Sequence, residues 1–291
     1  MNDFKSLRPL SGLNRRQFFN ATASSGFALA ALPISADTIS TNNLGLTTSD
    51  IKIPVGGEEI AAYAAWPKIG KSFPVILVIQ EIFGVHEHIK DVCRRFAKLG
   101  YLAIATDLYQ RQGNPAAVPD IPTLQREIVS RVNDAQVMTD LDATIVWAIQ
   151  NKGRTNQVGI TGFCWGGRIT WLYAAHNPNI KAGVAWYGRL LGQVSPMTPR
   201  NAIDIAGELQ APVLGLYGGR DSGITQDAIT KMRSALKAEG SSNASRASKI
   251  IVYPNAEHGF NADYRSSYRA EDAQAGFLLA LEWFKDNGVG C

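Results

Sequence analysis

Cys164 stands in a segment whose residue types could support nucleophilic catalysis. The segment reads Gly162-Phe163-Cys164-Trp165-Gly166-Gly167 and lies between an apolar run and a helical pattern. This spacing has the form of a nucleophile elbow with cysteine in place of serine, and its glycines permit a strained strand-to-helix turn. A thiol at the start of a helix is favoured as thiolate, which is its reactive form. A glycine-rich turn with an inert cysteine is the alternative interpretation.

A candidate base and a candidate acid follow the cysteine in the order that a hydrolytic triad requires. Asp221 comes after the apolar run 213–217, and His258 comes after the run 250–253. His258 would take the proton of Cys164 or share it as an ion pair, while Asp221 would orient the imidazole and stabilise its cationic form. Considered separately, they could be a turn aspartate and a loop histidine. The three positions in order predict a Cys-His-Asp triad.

His86 and His88, with Glu87 between them, are the other residues whose chemistry needs an interpretation. Two residues apart on a helix, the histidines are predicted to diverge, and no third ligand cluster accompanies them, so we expect no metal site. The mechanism needs no cofactor, and the glycine-rich segments lack the spacing of nucleotide-binding loops.

The elements that must position these residues are visible from residue 50 onward, where short apolar runs alternate with helical patterns. Such alternation predicts an α/β fold with a mainly parallel twisted sheet and helices on both faces. Residues 51–66 predict a leading antiparallel hairpin. The predicted strands are 75–79, 102–106, 157–161, 182–186, 213–217 and 250–253, and the predicted helices are 89–99, 124–149, 168–175, 227–239 and 271–284.

With these motifs assembled, residues 50 to 287 resemble the dienelactone hydrolase family. Five segments carry the resemblance: Gln80-Glu81-Ile82-Phe83-Gly84-Val85, Asp107-Leu108-Tyr109 with Arg111, the cysteine segment, Gly218-Gly219-Arg220-Asp221, and Glu257-His258-Gly259-Phe260. The resemblance implies an α/β-hydrolase fold and hydrolysis of small ester or lactone bonds.

The resemblance also implies roles for particular residues. Cys164, His258 and Asp221 would form the triad. The main-chain N–H groups of Ile82 and Trp165 would form the oxyanion hole. Glu81 would contact the cysteine and help to generate the thiolate when substrate arrives; a buried carboxylate with a backbone partner is the alternative interpretation of this residue.

In the family member that hydrolyses dienelactone, two arginines bind the carboxylate of the substrate. Arg111 matches one of them and, with Tyr109, is assigned to substrate binding, although Arg111 also fits a solvated turn. The position of the second arginine differs from the family pattern, because Ala262 occupies it. Gly259 stands where that family member has a serine. Arg265 lies nearby and is a candidate for the second arginine, although it is not in register. These departures concern the substrate more than the hydrolytic chemistry.

Functions from three classes fit parts of this pattern. A hydrolase would form a thioester acyl-enzyme on Cys164 that water then resolves. A non-catalytic small-molecule-binding protein could use the same scaffold, and a thiol redox protein could use Cys164. The complete triad favours the hydrolase, and no second cysteine lies close in sequence to resolve an oxidised thiol.

The N-terminal 36 residues predict a twin-arginine signal peptide. Asn14-Arg15-Arg16-Gln17-Phe18-Phe19 precedes an apolar stretch from Ala21 to Leu32, and small residues follow at Ser35 and Ala36. We expect export through the twin-arginine machinery to a periplasmic or secreted location. About 12 apolar residues are too few for a stable membrane anchor, which needs about 20. Residues 37–49 would form a linker, and residues 50–291 the hydrolase domain.

The charge of the chain belongs largely to this leader. The full chain has a formal charge of +4 from 29 basic and 25 acidic residues; loss of four basic residues and one acidic residue with the signal leaves 25 and 24. A nearly neutral mature chain gives no reason to expect nucleic acid as a partner. A bridge between Cys93 and Cys291 remains an alternative to free thiols, and the sequence does not define an oligomeric state.

Overall fold

The computed structural model describes residues 39–290 of the chain. The predicted signal peptide, the start of the predicted linker and Cys291 lie outside the described residues, so the signal and the Cys93–Cys291 bridge stay predictions. Within residues 39–290, no helix is both long enough and apolar enough to span a membrane.

Eight strands form one sheet in the order β1-β2-β4-β3-β5-β6-β7-β8. Strands β1 and β2 form the predicted antiparallel hairpin, β2 pairs antiparallel with β4, and all other neighbours are parallel. The prediction of a mainly parallel sheet is therefore confirmed. The strands are β1 Leu46–Val55, β2 Glu58–Pro67, β3 Phe73–Ile79, β4 Leu102–Thr106, β5 Gly153–Phe163, β6 Ile180–Trp186, β7 Val213–Gly218 and β8 Lys249–Tyr253.

Seven α-helices accompany the sheet in the described residues. They are α1 Glu87–Lys98, α2 Ile121–Glu127, α3 Asp134–Gln150, α4 Trp165–His176, α5 Gln226–Leu236, α6 Asn243–Ala247 and α7 Ala270–Asp286. The prediction of one helix over 124–149 is wrong. Val132 has extended backbone angles, and the side chain of Asn133 accepts the N–H of Ala135, which starts α3 as a separate helix.

Helices cover both faces of the sheet, as two glycines of β5 show. A Cβ atom on Gly159 would meet the ring of Phe284 in α7, whereas a Cβ atom on Gly162 would meet the main chain of Gly166 in α4. Residues an odd number of positions apart in a strand point to opposite faces, so α7 and α4 lie on opposite sides of β5. The central strands are accordingly buried throughout, and every residue of β3 is inaccessible or nearly so.

The domain begins before the predicted boundary at residue 50. Strand β1 already pairs with β2 at Leu46, which lies opposite Pro67. Upstream of that strand, the N–H of Thr41 donates to Asp91 Oδ1 at 2.5 Å. The second half of the predicted linker 37–49 is thus part of the folded domain, because the hairpin is longer than its apolar pattern indicates.

Candidate active site

Cys164 occupies a sharp turn between the last residue of β5 and the first residue of α4. Its φ of 54° and ψ of −112° lie outside the regions that side chains readily adopt, so the surrounding structure must hold this conformation. One restraint is the main-chain N–H of Cys164, which donates to the carbonyl of Trp186 at 3.0 Å. The thiol is partly exposed and is not in a disulfide.

The two glycines flanking the cysteine leave no room for side chains. A Cβ atom on Gly162 would lie 2.2 Å from the carbonyl oxygen of Gly166, and one on Gly166 would lie 2.5 Å from the carbonyl oxygen of Gln80. Main-chain atoms cannot yield as a flexible side chain can, so the elbow requires glycine at both positions. The predicted strand-to-helix turn is confirmed.

Asp221 and His258 follow β7 and β8 and are hydrogen-bonded to each other. His258 Nδ1 donates to Asp221 Oδ2 at 2.7 Å, and the aspartate side chain is buried. The other carboxylate oxygen accepts the N–H groups of Gly223 at 2.8 Å and Ile224 at 3.2 Å. These bonds fix the carboxylate and leave Nε2 of the imidazole for proton transfer.

His258 is linked electrostatically to both Asp221 and Cys164. Burial lowers the pKa of His258, but hydrogen bonds to Asp221 and Cys164 and the negative charges of these groups outweigh it and raise that pKa to about 10. The ring of Tyr187 packs edge-on against the imidazole with centroids 5.1 Å apart. The structure therefore brings the three residues of the predicted triad together.

A cavity of about 250 Å³ opens beside Cys164 and His258. Ile82 and Trp165, the predicted oxyanion-hole residues, both line it. Trp165 is the first residue of α4, and N–H groups in the first turn of a helix have no acceptor within that helix. The position suits a donor to an oxyanion formed at the nucleophile.

Glu81 lies at the end of β3 and is completely buried. Its Oε2 accepts a hydrogen bond from the hydroxyl of Tyr264, and its Oε1 lies 3.5 Å from Nη2 of Arg265. Burial raises the pKa of Glu81, but the positive charge of Arg265 and the hydrogen bond from Tyr264 help to bring it below its ordinary value, so the carboxylate is charged. In this conformation Glu81 is bound to these two residues, and no hydrogen bond joins it to Cys164.

His86 and His88 do not diverge, and that prediction is wrong. His86 precedes α1 in an extended conformation, and its ring stacks on that of His88 with centroids 6.0 Å apart. His88 Nδ1 lies 3.0 Å from Asp263 Oδ1, and Asp263 also pairs with Arg95 at 2.6 Å. His88 thus belongs to a buried ionic network that ties α1 to the loop after His258, and His86 packs against it. No group of three potential metal ligands occurs in residues 39–290.

The structure does not place Arg111 in the cavity. Its guanidinium lies 2.8 Å from Asp140, whose carboxylate is buried, and 2.7 Å from Glu58. A buried carboxylate needs a cation, so Arg111 is committed to a structural pair that its sequence context did not reveal. Tyr109 is also absent from the cavity wall; it is buried, and its ring packs against Trp165 with centroids 4.9 Å apart.

Two other arginines line the cavity and were missed by the sequence-based assignment. Arg168 forms two hydrogen bonds of 2.7 Å with the carboxylate of Asp134, and Arg189 follows the carboxyl end of β6. The position of Arg189 in the sequence could have revealed it, because loops that follow the carboxyl ends of parallel strands form the binding crevice.

The sheet order and the strained elbow beside a cavity define the molecule as an α/β-hydrolase. The chain belongs to the dienelactone hydrolase family, whose model matches residues 60–288. Membership of this hydrolase family agrees with the resemblance seen in the sequence.

Similar proteins span nearly the whole chain. A "putative carboxymethylenebutenolidase" from Methylorubrum extorquens is 53% identical over 99% of this chain and 98% of its own length. A protein of the same name from Escherichia coli K12 is 52% identical over 92% of this chain and 97% of its own length. The crystal structure of a "putative dienelactone hydrolase" from Klebsiella pneumoniae has 54% identity and a TM-score of 0.80, covering 82% of this chain and 98% of that one.

Proposed function

We propose that the protein hydrolyses small ester or lactone bonds through a thioester acyl-enzyme on Cys164. The observation that carries this proposal is the linked set of Cys164, His258 and Asp221 at the edge of a 250 Å³ cavity. A cavity of this size suits a small substrate.

Acylation begins from the ion pair in which His258 holds the proton of the Cys164 thiol, and the thiolate sulfur attacks the carbonyl carbon of the substrate. The carbonyl oxygen becomes an oxyanion, which the N–H groups of Ile82 and Trp165 would stabilise. The C–O bond then breaks, and the leaving oxygen takes the proton from His258. Asp221 stabilises the imidazolium throughout this step and keeps its ring oriented.

Deacylation reverses the proton transfers with water as the nucleophile. His258 removes a proton from water, the hydroxide attacks the thioester carbon, and the C–S bond breaks. The sulfur recovers the proton, and the carboxylic acid product leaves. A lactone substrate would leave as one hydroxy or oxo acid, since its alcohol and acyl portions belong to one molecule.

Glu81 is proposed to modulate this thiolate chemistry, as the family resemblance implies. Its carboxylate is charged and bound to Tyr264 and Arg265, so it must first be released from these residues before it can reach the sulfur. A substrate that competes for Arg265 would provide that release.

The names of relatives support a substrate class for this chain. The name that two relatives carry describes a butenolide bearing a carboxymethylene group, which is a small lactone with an acidic substituent. We propose a small ester or lactone of this kind as the substrate of this chain.

Steady turnover of small esters by the purified protein tests the proposal. We expect p-nitrophenyl acetate and a simple enol lactone to be hydrolysed, and iodoacetamide to abolish both activities in parallel. A protein that is fully folded and reduced but releases no nitrophenol and opens no lactone would instead be a binding protein.

We also propose that the enzyme acts outside the cytoplasm, a proposal supported by the Arg15-Arg16 motif and the short apolar stretch after it. Expression of the full chain in a host with an active twin-arginine pathway should yield a shortened periplasmic form. Replacing both arginines with lysine should leave the full-length precursor inside the cell; equal export of this variant would contradict the proposal.

A further inference from the structure

The wall of the cavity carries one arginine that no hydrogen bond or ion pair engages among the described residues. Among the described residues lining it, the side chains that can carry a positive charge are Arg168, Arg189 and His258. Arg168 is paired with Asp134, and His258 is paired with Asp221. Arg189 makes neither a hydrogen bond nor an ion pair with any residue in the range 39–290.

The main chain on either side of Arg189 is fixed against the catalytic elbow. Tyr187, two residues earlier, packs against the imidazole of His258. Gly188 lies so close to the elbow that a Cβ atom on it would be 2.3 Å from the carbonyl carbon of Gly167. The main chain leading to Arg189 is therefore fixed beside the elbow, and the residue itself is exposed at the cavity wall.

The guanidinium of Arg189 folds back over its own loop. A Cβ atom on Gly192 would lie 2.8 Å from Cζ of Arg189, so the guanidinium rests directly against the main chain of Gly192. The loop is anchored in turn, because Arg168 donates to the carbonyl of Arg200 at 2.7 Å and the N–H of Asp134 donates to the carbonyl of Met197 at 2.9 Å. An arginine held on an anchored loop loses less conformational freedom when it binds a ligand.

The surroundings of Arg189 favour a bound anion. Partial burial and then the like charge of Arg168 lower the pKa of Arg189, and the charges of Asp134 and Cys164 oppose this. A bound carboxylate would add a further negative charge that favours the charged guanidinium. Arg168 contributes more than its charge, because its Nε is buried and has no hydrogen-bond partner in the described part of the chain. A planar carboxylate is the group that a guanidinium binds best.

We infer that Arg189 binds the carboxylate of an anionic acyl donor and thereby sets the substrate preference of the enzyme. This inference rests on the proposed function and assigns to Arg189 the role that the sequence assigned to Arg111. Arg111 is unsuited to that role because Asp140 and Glu58 already occupy its guanidinium.

A pair of esters that differ only in charge tests the assignment. The probes are mono-p-nitrophenyl succinate and its neutral methyl ester, and the readout is the ratio of their kcat/KM values. We expect Arg189→Met to lower this ratio at least tenfold, through loss of a charge-assisted hydrogen bond, and Arg189→Lys to recover part of it. The matched control is Arg126→Met, which removes an exposed arginine beside the cavity residue Gln125 and should keep the wild-type ratio.

Binding of succinate to the Cys164→Ala protein, measured by calorimetry, separates this inference from the proposed function. We expect the affinity to fall about tenfold when Arg189→Met is added. Retained succinate binding without ester turnover would reject the proposed hydrolysis but keep the anion site. The inference would be overturned if Arg189→Met left both the kcat/KM ratio and the succinate affinity unchanged. It would also be overturned if the ratio fell in Arg111→Met instead.

Discussion

Replacing Cys164 with alanine is expected to lower kcat/KM for p-nitrophenyl acetate by about 10³-fold or more, because losing the nucleophile of a triad removes the covalent route altogether. The fold should survive, since the thiol is partly exposed and forms no disulfide. Initial rates measured beside circular dichroism spectra of both proteins will check the two expectations together.

The matched control for this substitution is Cys93→Ala. Cys93 is buried in α1, away from the cavity wall, so its loss should leave kcat/KM near the wild-type value. If Cys164→Ala kept activity within tenfold of the wild type while Cys93→Ala lost it, the nucleophile would have been assigned to the wrong cysteine.

Asp221→Asn should produce the second largest loss, about 10³-fold to 10⁴-fold in kcat. An amide cannot stabilise the imidazolium as a carboxylate does, and it can hold the ring in the wrong tautomer. The pKa of His258 should fall from about 10 toward its ordinary value of 6.5. Titration of the imidazole signals by NMR will report this fall directly.

The same substitution should make stability depend on pH in a defined direction. A histidine whose pKa is raised on folding contributes stability that is fully present below about pH 6.5 and is lost as the pH rises through about 10. The melting temperature of the wild type should therefore exceed that of Asp221→Asn by the largest margin at the lower end of the pH range in which both proteins are folded. Asp227→Asn, at an exposed aspartate paired with Lys231, is the control. A His258 pKa that does not change in Asp221→Asn would show that the hydrogen bond does not govern the base.

The sequence predicted those parts of the fold and site that depend on residues close together in the chain. Strand β4 is a short, mostly apolar run that Asp107 follows, and its predicted bounds match the structure. Cys164 sits between glycines that are sterically required, so its spacing reveals the elbow. Asp221 and His258 each follow a parallel strand, and such strands end at one edge of the sheet, where the residues after them can meet.

The parts that were missed depend on partners far apart in the chain. Arg111 and Asp140 are 29 positions apart, and the sequence around either residue does not indicate their ion pair. Glu81 meets Tyr264 across 183 positions, so its network becomes visible only once the sheet has formed. The break before α3 was missed for a different reason: apolar residues continue through Val132, and the pattern conceals the extended backbone there.

Mass spectrometry of the protein quenched during turnover of p-nitrophenyl acetate tests the cysteine acyl-enzyme most directly. We expect an acetyl group on the peptide containing Cys164, with a rate of decay that matches the steady release of nitrophenol. An acetyl group on another residue, or turnover with no adduct on Cys164 at any quench time, would contradict a cysteine acyl-enzyme.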